Sequence, residues 1–233
     1  MNERERRRTR EFLEKMSVSG AEEETFFTAL VHSSYANEQR QIGRNISSNE
    51  RLEFLGDAVV DLLVCDILYK SYPSASEGEM SKVKAAVASE KILAMMARDF
   101  GINEFLFLGK GEEMSGGRER DSILADAMEA VIGAVYLELG LEKVKEIFGE
   151  SFRRYSQLVM EGKLLFDYKT ALQELTQEIY RTLPEYKVVT RKNNHFEVEV
   201  YINGKLMGRG KGRSKKEAEK GAAEEAYKAL RGG

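Results

Sequence analysis

The hydrophobic rhythm of the chain changes near Gly162, and a chain with two rhythms has to build two cores. From Glu3 to about Met160, apolar residues recur at helical spacing, broken by short Gly, Ser and Asn clusters, with no convincing strand alternation. The spacing predicts helices over roughly 3–16, 22–35, 49–71, 78–99, 122–139 and 141–160. Past Gly162, Asp167–Tyr180 reads as a helix, and Glu185–Arg191, Phe196–Ile202 and Leu206–Lys211 read as three short strands. Asn203-Gly204 is a two-residue hairpin signal, and Ser214-Lys215-Lys216-Glu217 sets a capping serine before a last, alanine-rich helix. The expected architecture is an all-α domain over 1–160, a linker over 161–166 and a small α+β domain, α-β-β-β-α, over 167–233. With 233 residues the chain is long enough for two modest cores.

Charge divides along the same boundary. Residues 163–233 carry 15 Lys and Arg against 10 Asp and Glu, a net of +5, which leaves −8 for residues 1–162 out of the overall −3. A basic segment suits a polyanion, whereas surplus carboxylates either solvate a surface or hold divalent cations. The lone cysteine, Cys65, rules out a disulfide framework and a Cys-rich zinc site and fits a reducing, cytoplasmic setting. Arg4, Arg6, Arg7, Arg8 and Arg10 are followed by no apolar segment of signal-peptide or membrane length, so neither leader nor anchor is expected. With Glu3, Glu5 and Glu11 they read as a solvated helix face.

Spacing separates the two uses of carboxylate. In Asn49-Glu50-Arg51-Leu52-Glu53-Phe54-Leu55-Gly56-Asp57, the acids fall at i, i+3 and i+7, on one stripe that Asp61 continues, with Leu52, Leu55, Val59, Leu62 and Leu63 opposite. That helix alone leaves a solvated face and a cation site equally open. Ile123–Leu137 tips the balance, being apolar but for Asp126 and Glu129, which are i, i+3 neighbours. A helix hydrophobic all round is buried, and unpaired buried carboxylates are strongly disfavoured. No basic residue lies within that segment to neutralise them, and hard cations want clustered oxygens. Gly133 continues the acidic stripe and would allow close approach. If the two acidic helices pack face to face, Glu53, Asp57, Asp126 and Glu129 converge on one metal cluster.

With His32 and His195 the only histidines and Cys65 isolated, nitrogen or sulfur ligation is excluded and magnesium, or manganese as a substitute, is preferred. Paired carboxylate-held ions suit phosphodiester hydrolysis. The chain shows no serine elbow, no Walker loop and no dinucleotide fingerprint, so no organic cofactor is expected; Gly208, Gly210 and Gly212 lack that spacing. A Ser76/Glu79 capping box gives Glu77 a structural role by spacing alone, and His32 reads as a hydrogen-bonded packing residue.

The stretch Asn49–Val59 resembles the signature of the ribonuclease III family. Glu77-Gly78-Glu79-Met80-Ser81 and Asp121–Ala130 resemble further family motifs, in the same order and at similar distances, so the resemblance covers the whole chain. It implies a homodimeric endoribonuclease cutting double-stranded RNA, with roles in ribosomal and other RNA processing. Products would carry 5′-phosphate and 3′-hydroxyl ends with short 3′ overhangs. It implies Glu53, Asp57, Asp126 and Glu129 as metal ligands, with Asp57 and Glu129 catalytic. Glu50 and Glu77 are implied catalytic as well, in the same acidic valley nearer the RNA, and Phe54 is implied as a plug entering a pocket of the partner subunit.

The second domain resembles the double-stranded-RNA-binding fold, most clearly over Gly210–Glu219. There Lys215 and Lys216, a helix dipole and backbone amides meet phosphate together, giving affinity without reading sequence. Thr170, Gln173 and Glu174 match positions that touch the minor groove, where 2′-hydroxyls mark RNA. The loop Arg191-Lys192-Asn193-Asn194-His195 departs from the Gly-Pro-x-His of many members, and only His195 matches. A non-cleaving RNA-binding regulator is the alternative, and its sign would be an interrupted acid set; none is seen. A protein-binding scaffold using the small α-β-β-β-α domain is a third reading, and binding to duplex RNA that weakens steeply with salt would argue against it, since phosphate contacts release counterions.

Overall fold

The computed structural model describes residues 1–164, 167–192 and 195–231, and the chain forms two compact units, Met1–Lys163 and Leu164–Gly233. In the first unit, α1 (Glu3–Lys15), α2 (Glu23–Ala29), α3 (Ser33–Gln41), α4 (Glu50–Ser71), α5 (Glu77–Val87), α6 (Glu90–Asp99) and α7 (Lys110–Met114) surround α8 (Asp121–Met160). Helix α8 is central because Ile123–Val135 is buried except at Asp126 and Glu129. Beyond it Tyr136 and Leu137 emerge to solvent, and Gly140, at φ 79° and ψ 173°, divides the rod where the sequence placed a gap. Helices α2, α4, α5 and α6 all pack on α8, around Phe26, Phe27, Phe148 and Phe152.

Two expected helices are each divided. The segment 22–35 breaks at Leu30–His32, because Val31 forms a bridge to Phe107 and His32 starts α3 as its N-cap. The segment 78–99 breaks at Ala88–Ser89, where Ser89 adopts an extended backbone and α6 begins. The short helix α7 and most of α3 were not expected. Glu5 also departs from the solvated face: it is 1% exposed and accepts from Arg44 at 2.8 Å and from Tyr35 at 2.6 Å. Burial alone would raise its pKa, but Arg44, Tyr35 and the Asn2 N–H outweigh it and hold the carboxyl at about 2.

The second unit consists of α9 (Tyr168–Tyr180), β1 (Glu185–Lys192), β2 (His195–Ile202), β3 (Lys205–Gly212) and α10 (Lys215–Arg231). It is the α-β-β-β-α order expected, with an antiparallel sheet ordered β1-β2-β3. Asn203 and Gly204, at φ 50° and 76°, close the β2–β3 hairpin with Ile202 opposite Lys205. The glycines of β3 serve packing: a Cβ on Gly210 would lie 2.0 Å from the Ala218 carbonyl oxygen, and one on Gly208 2.4 Å from that of Ala222. Leu172, Val198, Val200 and the alanines of α10 form the core between sheet and helices. Among the described residues no helix is long and apolar enough to cross a membrane.

Candidate active site and nucleic-acid interface

Helices α4 and α8 touch backbone to backbone. A Cβ on Gly56 would fall 1.8 Å from the Glu129 carbonyl oxygen, and one on Gly133 would fall 2.3 Å from that of Leu52. Only hydrogen fits at either position, so the paired glycines set the approach that brings the acidic stripe of α4 to the two acids of α8. The buried face of α4 is Leu52, Gly56, Val59, Val60, Leu63 and Val64; Leu62, expected there, is 52% exposed, because the contact centres on Gly56.

At this contact one carboxylate oxygen from each of Glu53, Asp126 and Glu129 lies within 4.8 Å of the other two, and all three side chains are half-buried. Burial first, and then the charges of Asp57, Glu53, Asp126 and Asp61, push Glu129 up to about 8. Glu53 is raised by burial and by Asp126, Glu50 and Asp57, and Asp126 is raised by burial, with His32 opposing. Such mutual repulsion is relieved either by a proton or by a cation, and an all-oxygen, half-buried donor set fits a hard divalent ion.

The remaining sequence-derived acids take distinct places. Asp57 is exposed and outside that triangle, although its charge is the leading neighbour acting on Glu129. Asp61 leaves the shared acidic stripe for an ion pair with Lys84 at 2.7 Å, since α5 brings that lysine alongside α4. Glu50, exposed in the first turn of α4, accepts from the Ser48 hydroxyl at 2.5 Å. Glu77 opens α5 beside the Ser76/Glu79 capping box, accepts from Ser81 at 2.8 Å and borders a cavity of about 450 Å³ with Leu62, Cys65 and Tyr69. It is not brought to the carboxylate triangle within this chain. Phe54 is 83% exposed and lies at a cavity of about 750 Å³ lined also by Thr25, Thr28, Leu55 and Leu137.

Sequence reasoning passed over Gly56, whose signal was available: it is a helical glycine between two acids of one stripe, facing a second helix with Gly133. His32 is the hydrogen-bonded residue expected, capping α3 with Nδ1 accepting from the Ser34 N–H at 3.3 Å. The ring is half-buried, and burial lowers its pKa below the ordinary histidine value, against Glu112, Asp126 and Glu50.

On the second unit, Thr170, Gln173 and Glu174 lie exposed along one face of α9, opposite buried Leu172 and Thr176. Thr170 is fixed by Asp167, which accepts from its hydroxyl at 2.8 Å. Lys215 and Lys216 stand exposed in the first turn of α10, where Ser214 accepts from the Glu217 N–H at 3.2 Å and Glu217 accepts from the Arg213 N–H at 2.7 Å. Lys215 is exposed and only loosely paired, 3.7 Å from a largely buried Glu219 that already holds Lys169 at 2.7 Å. His195 is exposed at the start of β2; Asn193 and Asn194, and the linker residues Leu165 and Phe166, lie outside the described residues.

Comparison with known proteins covers both units. The family model described as Ribonuclease-III-like matches residues 22–155, and that of the double-stranded RNA binding motif matches 168–230. The chain is 53% identical to ribonuclease 3 of Pseudothermotoga lettingae across the full length of both chains. It is 43% identical to ribonuclease 3 of Borreliella burgdorferi, over 94% of this chain and 90% of that one. Among solved structures, the nuclease domain of ribonuclease III from Campylobacter jejuni, described as flexible in a region involved in dimer formation, superposes with a TM-score of 0.55 at 35% identity. That match covers 62% of this chain and 95% of the other.

Proposed function

Because the chain belongs to the ribonuclease III family and is an endoribonuclease acting on double-stranded RNA, we propose that it hydrolyses the duplex with divalent cations held by Glu53, Asp126 and Glu129. Asp57 completes the ligand set from the exposed side, and magnesium, or manganese in its place, is the ion. The observation that carries this reading is the triangle of carboxylate oxygens within 4.8 Å, drawn from two helices whose glycines allow backbone contact. The chemistry such ions supply in phosphodiester hydrolysis is activation of the attacking water and stabilisation of the departing oxygen. The protein's own part is to hold the oxygens on rigid helices, keep solvent from one side of the cluster and place the duplex across it.

Thr170, Gln173, Glu174, His195, Lys215 and Lys216 hold that duplex. Groove-facing polar groups and phosphate-facing lysines recognise A-form shape more than base order. Glu50 and Glu77 line the approach to the metal cluster. Phe54 is the anchor of a homodimer: an aromatic side chain 83% exposed beside a cavity of about 750 Å³ fits a contact in which each copy's ring enters the other's cavity. The dimer formation described for the Campylobacter jejuni domain supports a pairing of two copies. Two active sites, one per strand, then leave 5′-phosphate and 3′-hydroxyl ends with short 3′ overhangs on ribosomal and other precursor duplexes.

Incubating long duplex RNA with the protein, with and without magnesium, and mapping the ends tests the reading. Cleavage is expected only with the ion, and Glu129→Ala is expected to abolish it while duplex affinity stays within about twofold, since binding runs through phosphate contacts on the other unit. Undiminished cutting by Glu129→Ala would refute the assignment. The non-cleaving regulator would instead bind duplex and leave it intact under every ion condition.

A further inference from the structure

The sheet of the second unit is closed on its outer face and along one edge, and open along the other. On the face opposite buried Val198 and Val200, acid meets base across strands: Glu197 pairs with Lys211 at 2.5 Å and Glu199 with Arg209 at 2.9 Å. The Tyr201 hydroxyl also donates to Glu199, at 2.6 Å. On the β3 edge the Arg209 N–H donates to Glu225 of α10 at 2.8 Å, and the Arg213 N–H, just beyond the strand, donates to Glu217 at 2.7 Å. Helix side chains thus cover the groups that another strand would need there.

Strand β1 ends the sheet on the other side, and among the described residues no side chain accepts from its backbone N–H groups. Glu185 and Lys187 are exposed on it, aligned with Tyr201 and Glu199 of the outer face. Neither has an ion pair among the described residues. Glu199 is already taken by Arg209, and the Lys187 ammonium lies over the Tyr201 ring, 4.6 Å from its centroid. Tyr186, between them, packs inward against the core, while Leu183, Val188 and Val189 at the two ends of the run are exposed. A charged edge ordinarily repels a second strand, but an acid and a base two residues apart are self-complementary under a two-fold axis at the residue between them. With the axis at Tyr186, antiparallel pairing sets Glu185 of each copy opposite Lys187 of the other on one face, as the alternation of side chains requires. It also brings the Leu183 end of each copy to the Val188 and Val189 end of the other.

We infer that β1 is a self-association surface, through which the second units of two chains join edge to edge about Tyr186 and merge two three-stranded sheets into one. The bulge at Val189 limits the regular run to Glu185–Val188, so the association is weak. It is separate from the contact assigned to Phe54 and independent of the cation site. Because the strands run antiparallel, the two β1–β2 loops, each ending at His195, lie at opposite ends of the joined sheet.

Amide hydrogen exchange of the full chain at rising protein concentration reads the edge directly. Amides of Glu185–Val188 that do not donate to β2 are expected to slow about tenfold as the chain is concentrated through the association, while those of β2 stay constant. Glu185→Lys and Lys187→Glu each place like charges opposite one another, and each is expected to weaken the association about tenfold. The double variant Glu185→Lys/Lys187→Glu restores opposite charges and is expected to restore the association. Both positions are exposed, so all three variants should melt with wild type. Exchange of β1 that ignores concentration in the wild-type chain would overturn the proposal, as would a double variant that associates no better than the single ones. A loss of duplex affinity in Lys187→Glu with no change in association would assign the edge to RNA and overturn self-pairing.

Discussion

Without a cation beside it, Glu129 keeps its proton to about pH 8, because burial and then Asp57, Glu53, Asp126 and Asp61 oppose the charge. The sign of the linked stability follows. A carboxyl raised from an ordinary 4.5 to about 8 binds more proton in the folded than in the unfolded state across that window, so folding stability falls as pH rises through it. Glu129→Gln keeps the shape and removes the titration. Metal-free melting of wild type and Glu129→Gln should therefore diverge progressively between pH 5 and pH 8 in favour of the variant, and a saturating divalent ion should reverse the order. Parallel curves would mean that Glu129 titrates as an ordinary surface acid. Glu5 shows the opposite solution at the same scale: paired with Arg44 and 1% exposed, it stays ionised through the neutral range without any ion.

Between elements, the α4–α8 contact determines where those carboxylates meet. Gly56→Ala would gain about 1 kcal/mol of helix propensity, but its methyl would lie 1.8 Å from the Glu129 carbonyl oxygen, and overpacking of backbone costs about 1–3 kcal/mol or more. The clash wins, so this variant should melt several degrees lower and lose cleavage together; differential scanning calorimetry with the duplex assay checks it, and an unchanged or raised melting temperature would contradict the packing. The acids of α8 were legible in the sequence because Asp126 and Glu129 interrupt an otherwise apolar run, and Gly133 was legible on the same stripe. Leu62 and Asp61 were not, since spacing fixes a face but not the line along which a second helix touches it, and Gly56 was marked only by its place between two acids of the stripe. The break at Leu30–His32 depends on Phe107, far along the chain, so local periodicity ran through it. In the small unit, strands and hairpin were readable from alternation and Asn203-Gly204, whereas the purpose of Gly208 and Gly210 appears only once α10 lies against them.

At the scale of the whole molecule, two compact units divide the labour by charge: a helical unit with surplus acid and an α-β-β-β-α unit with surplus base. The acidic site is electrostatically hostile to RNA on its own, and cations together with the basic unit offset that. On the proposed reading, cutting both strands requires two copies, and Phe54 is the side chain on which their pairing would turn. Phe54→Asp sets a charge where a ring should enter the partner's cavity, so sedimentation should show the variant as monomer at concentrations where wild type is dimer, with double-strand cleavage reduced about tenfold or more; a dimeric, active variant would place the interface elsewhere. The claim underlying all of this is that Glu53, Asp126 and Glu129 share a divalent ion, and anomalous scattering from crystals grown with manganese measures it directly. A peak bounded by those three carboxylates is the predicted result, and manganese bound elsewhere with the three side chains turned apart would contradict it.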